Sequence, residues 1–144
     1  MALPDFASSF EKKQLMNVAL LVANALVLLT FIAHTFWGDK EYKILEPVDG
    51  STDHREKWTM GRGAFHIVSA DFLLAFIGLT LINFTEYVKE KSLLLTLLAL
   101  YFFAYGLAFL LTLIISKKFK NSFFRLGQWL LLFTIAGLIY WGIE

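Results

Sequence analysis

The chain has 144 residues, 58% of them hydrophobic and 17% charged, with a net charge of +1 and no cysteine. A soluble domain carries about 25% charged and 45–50% apolar residues. The balance excludes a broad basic field for nucleic acid, and the missing cysteines exclude disulfides, thiolate metal sites, covalent haem attachment and cysteine nucleophiles.

The apolar residues fall into four blocks, at about 15–37, 64–84, 92–115 and 126–143, with most charges swept into the gaps. A helix needs about 20 apolar residues to cross a ~30 Å hydrocarbon core. None of the blocks contains a proline or the polar face that a soluble bundle requires. The expected fold is therefore all-α, a four-transmembrane-helix bundle forming one membrane domain, with the lipid bilayer as its first partner. Trp37, Trp58, Trp129 and Trp141 lie at or near block ends, the headgroup level that indole rings favour.

Block one reads as a retained helix, because its apolar run is too long for a leader and no small-x-small cleavage site follows it. On a helical wheel Ala19, Ala23, Thr30 and His34 fall within about 60° of one another, which turns His34, in the last turn, toward the bundle. Asn17 and Asn24 fall off that face, and Asn24 is expected to bond across helices.

The segment 38–63 is the long connection. Gly38-Asp39-Lys40-Glu41 leads to Pro47, Asp49-Gly50 marks a turn, and Asp53 with Glu56 forms a helix-start signal. Helix two is therefore expected to begin near Asp53, outside the membrane, and to run inward past Arg62 and His66. Asp71 follows about 7 Å deeper by helical rise. It shares a face with Ile67, Ala75 and Gly78, but differs from His66 by about 140° in phase.

Helices three and four carry small residues at helical spacing: Ala104, Ala108, Thr112 and Ser116 on one, Gly127, Thr134 and Gly137 on the other. Small residues let membrane helices approach closely, so these are the expected packing stripes. Tyr101 and Tyr105 are candidate hydrogen-bond partners for Asp71, and Gln128 lies at the level of the histidines.

Two functional classes follow, beside a third reading as a scaffold whose polar residues only tie helices together. Asp71 is the one ionisable residue deep in a span, and such residues mark ion or proton pathways by default. This points to a non-enzymatic transport or ion-conducting unit, or a subunit of a larger membrane assembly; four helices enclose little volume, so transport implies a homo-oligomer or membrane-complex partners. The alternative is a membrane enzyme or redox protein in which His34, His66, Asp39 and Glu41 hold zinc, iron or an axially ligated haem, with Arg62, Tyr105 and Gln128 in support. No His-x-x-x-His, Glu-x-x-His or His-Glu-x-x-His spacing accompanies it.

The stretch His34-Thr-Phe-Trp-Gly38-Asp39-Lys-Glu41, followed by Pro47 and by His66 on the next helix, resembles a pattern in small bacterial four-helix inner-membrane proteins of uncharacterised function. The resemblance covers about residues 30–75. It implies a multi-pass inner-membrane protein and carries over no activity. Small drug exporters are similar in length, but their functional helix-one glutamate has no counterpart here.

Orientation comes from basic residues. Lys12, Lys13, Lys89 and Lys91 share the side of the termini. Lys40, Lys43, Arg55, Lys57, Arg62, Lys117, Lys118, Lys120 and Arg125 lie on the other. Both termini are accordingly expected to be extracytoplasmic.

Overall fold

The computed structural model describes residues 6–48, 50–116 and 121–143, with side chains described from residue 18 onward. Lys117, Lys118 and Lys120 of the basic count, and Asp49 of the expected turn, lie outside the described residues, as do the side chains of Lys12, Lys13 and Asn17. All elements among the described residues are helical: α1 (Phe6–Ile32), a π-helical segment (Ala33–Gly38), α2 (Asp39–Lys43), α3 (Thr52–Phe84), α4 (Lys91–Ser116), α5 (Ser122–Arg125) and α6 (Gln128–Trp141).

Among the described residues, three helices are long and apolar enough to cross a membrane: Val18–Lys43, Thr52–Phe84 and Lys91–Ser116. The fourth apolar block departs from expectation. Its helix has 14 residues, about 21 Å at 1.5 Å per residue, short of the ~30 Å core. The chain bends before it: Leu126 leaves the helical region (φ −117°, ψ 66°), and Trp129 Nε1 turns back to donate to the Phe123 carbonyl at 3.1 Å.

The expected 38–63 loop is also revised. Helix one continues through the π segment into α2, so only about residues 44–51 link it to α3. Helix α3 starts at Thr52, where the Asp53 signal puts it, although the Asp53 carboxylate pairs with Lys57 at 2.6 Å. With 33 residues, α3 is about 50 Å long, so its first turns extend beyond the apolar part that begins at Ala64.

The chain divides into two compact units, Asn24–Gly78 and Met1–Ala23 with Leu79–Glu144. In the first, Val27, Phe72, Ala75, Asn24 and Ser69 are buried. The inward stripe of α3 in this unit is thus Ser69, Phe72 and Ala75. Ile67, expected beside Asp71 on the interior face, is 65% exposed.

In the second unit α4 packs on α6. Leu95, Ala99, Phe102, Gly106 and Leu113 are buried on one helix, and Leu132, Ile135, Ala136 and Ile139 on the other. The expected small-residue stripes are not the packing faces here: Ala104, Ala108 and Thr112 are exposed, as are Gly127, Thr134 and Gly137. The close approaches are at other glycines. A Cβ on Gly106 would lie 2.8 Å from the Phe133 ring, and one on Gly142 would meet the Leu20 side chain.

Candidate functional site

The unit Asn24–Gly78 concentrates the polar chemistry where helix one leaves its apolar stretch. Asp39, two residues beyond Trp37, accepts from Arg62 twice, Nε at 2.8 Å and Nη2 at 3.0 Å. This is the bidentate fork that a planar guanidinium forms with a carboxylate. His66 Nε2 lies 3.1 Å from the same Asp39 oxygen that takes Arg62 Nε, and donates to it when the proton sits on that nitrogen. Lys43 Nζ approaches the other oxygen at 3.5 Å. Asp39 and Arg62 both lie outside the apolar blocks.

An aromatic ladder backs this pair. The Arg62 guanidinium lies 5.3 Å from the Trp58 ring centroid, within cation–π range, and Trp58 Nε1 donates to the Tyr42 carbonyl at 3.3 Å. The Phe65 ring lies 5.6 Å from Tyr42 and stacks on His34 at 3.8 Å with 12° between planes. His34 Nδ1 is 2.9 Å from the hydroxyl of buried Ser69.

Two glycines allow this approach. A Cβ on Gly38 would lie 2.6 Å from Phe65 Cζ, and one on Gly61 would meet the Tyr42 hydroxyl. His34, Gly38 and Tyr42 are spaced by four and all reach Phe65. The π segment contributes to that alignment, because i→i+5 bonding absorbs an extra residue per turn.

Of the sequence candidates, the structure brings together Asp39, Arg62 and His66, with His34 stacked on the neighbouring Phe65. Glu41 is exposed and stands outside the cluster, and Tyr105 and Gln128 belong to the other unit. Tyr105 accepts a 2.7 Å hydrogen bond from the Tyr101 hydroxyl. Asp71 is partly buried on α3, 40° in helical phase from buried Ala75. Sequence reasoning missed Tyr42, Trp58, Phe65 and Ser69. A signal was present in the spacing Trp58, Arg62, Phe65, Ser69, which is one helical stripe.

The donor set does not fit a metal or haem. Among the described residues no three His, Asp or Glu side chains group as a metal site would. Asp39 is committed to a guanidinium, and the two histidines have separate partners. His34 stacks on the face of Phe65, and His66 meets the same ring at 5.7 Å and 82°.

The chain matches no protein-family model, no curated protein and no solved structure. Function is therefore read from the chain's own residues.

Proposed function

We propose that this chain is a four-span inner-membrane protein acting as a proton-coupled transport or ion-conducting unit, by itself as a homo-oligomer or as a subunit of a larger membrane assembly. The reading takes the short α6 as the fourth span and places both termini outside, following the basic-residue count. The observation that carries it is Asp71, a carboxyl within the membrane-length part of α3, partly buried and on the edge of its inward stripe. An ionisable side chain at that depth is costly and is retained where a pathway uses it. His66, one and a half turns nearer the membrane surface, is the group able to take up and release a proton where such a pathway would open, and the Asp39 carboxylate, paired with Arg62, orients its imidazole. The exposed Ala104, Ala108 and Thr112 face on α4 supports close approach of a second membrane helix.

The test is proton flux into liposomes containing the purified protein, read with an entrapped pH dye under an imposed gradient. Asp71→Asn, which keeps size and hydrogen bonding but cannot ionise, should reduce flux by about a hundredfold, and Asp71→Glu should retain most of it. Unchanged flux and unchanged pH dependence in Asp71→Asn would sink the reading.

A further inference from the structure

We propose that the π segment of helix one binds an internal water molecule through the Thr35 hydroxyl, and that this water hydrogen-bonds onward to His34. Several threonines, four within helices and Thr85 just past α3, satisfy their hydroxyls on the backbone. Thr30, Thr85, Thr96, Thr112 and Thr134 each donate to the carbonyl four residues earlier, at 2.7–2.9 Å. That back-bond is the usual solution for a hydroxyl on a helix. Thr35 lies inside Ala33–Gly38 and does not make it. Its oxygen is shielded from solvent and has no hydrogen-bond partner among the described residues.

The π geometry accounts for the missing bond. With i→i+5 bonding the turn widens, and the Phe31 carbonyl no longer stands along the Thr35 side chain as it would in an α-helix. A buried hydroxyl left in this way is costly, and buried water is the common remedy. Polar groups that could hold a water are close in sequence. The Thr35 hydroxyl both donates and accepts, and a widened turn leaves its carbonyls open to an inserted water. His34, the preceding residue, uses Nδ1 on Ser69, and its Nε2 has no hydrogen-bond partner among the described residues.

The presence of the water rests on this geometry alone; its role rests on the proton-coupled reading above. Thr35 lies one residue nearer than His34 to the surface cluster of Asp39, Arg62 and His66. A water there gives a proton entering from that cluster a hydrogen-bonded stop before His34 and Ser69. The proton arrives on the water, and the water releases one to the imidazole, so no group is consumed.

Two variants and three readouts test the proposal. Thr35→Val removes the hydroxyl at constant shape, and Thr35→Ser restores it. The readouts are the thermal midpoint in detergent, water-to-protein magnetisation transfer at residues 34–35 by solid-state NMR, and liposome proton flux. The expected result is a lower midpoint, loss of the water signal and at least about a tenfold loss of flux in Thr35→Val, all recovered in Thr35→Ser. A raised midpoint in Thr35→Val, with no water signal in the unmodified protein, would overturn the site, because deleting an orphaned hydroxyl should stabilise. A lower midpoint and a lost water signal, in a protein that conducts no protons before mutation, would keep the water and reject the transport reading. Flux unchanged in Thr35→Val while the water signal is lost would reject the relay.

Discussion

Gly106→Leu should lower the thermal midpoint of the purified protein and loosen α6 from α4, whereas Gly106→Ala should change it little. The two substitutions differ because opposing effects nearly cancel in one and not in the other. Replacing a helix-interior glycine by alanine gains about 1 kcal/mol in propensity. Against that, a Cβ at Gly106 meets Phe133 ring atoms at 2.8, 2.9 and 3.3 Å. Three contacts along one ring edge leave no direction in which a small rotation relieves all of them. Overpacking of this kind costs about 1–3 kcal/mol, so alanine falls near neutral to mildly destabilising. Leucine adds three carbons at a buried position with no further propensity gain, and the overpacking dominates. Trp129, whose ring centroid lies 6.3 Å from that of Phe133, gives a fluorescence readout of the local packing. Combining Gly106→Leu with Phe133→Ala should recover much of the midpoint. If it does not, the glycine matters for a reason other than this ring.

What the sequence disclosed follows from what lipid leaves readable. Block lengths are legible because charge is costly in hydrocarbon, so the three long helices follow from counting. The start of α3 at Thr52 is legible because Asp53 is a local signal. Helix rotation is harder to read. In a soluble protein a polar face reveals the phase, but in α4 and α6 nearly every residue is apolar, and small residues then look like the interface. The structure instead buries Phe102, Ile135 and Ile139 completely and leaves Ala104, Ala108 and Gly137 outside. The Asp39–Arg62 pair was out of reach for a different reason. Both residues are visible as charges near block ends, but 23 positions separate them. Their register depends on a π turn that no residue of Ala33–Gly38 announces. The same turn sets Thr35 apart from Thr30, Thr96, Thr112 and Thr134, which no sequence pattern distinguishes from it.

Arg62→Ala should destabilise the hairpin of helix one and α3, and Arg62→Lys should not restore it. Alanine removes both hydrogen bonds to Asp39 and the cation over Trp58 in one step. Lysine keeps the charge but offers a point donor where the carboxylate and the indole face engage a planar fork. Asp39→Ala should have a similar effect, and the double variant should be little worse than either single one, since residues sharing one interaction do not contribute additively. Thermal midpoints of the four proteins close this cycle. A double variant that loses the sum of both singles would show that the pair is two independent surface charges.

Because Phe65 joins His34 to Gly38 and Tyr42, releasing the Arg62 clamp should also let His34 move relative to Ser69. On the proposed proton-coupled reading, Arg62→Ala should then impair proton flux at neutral pH, from a position nine residues before Asp71 on α3.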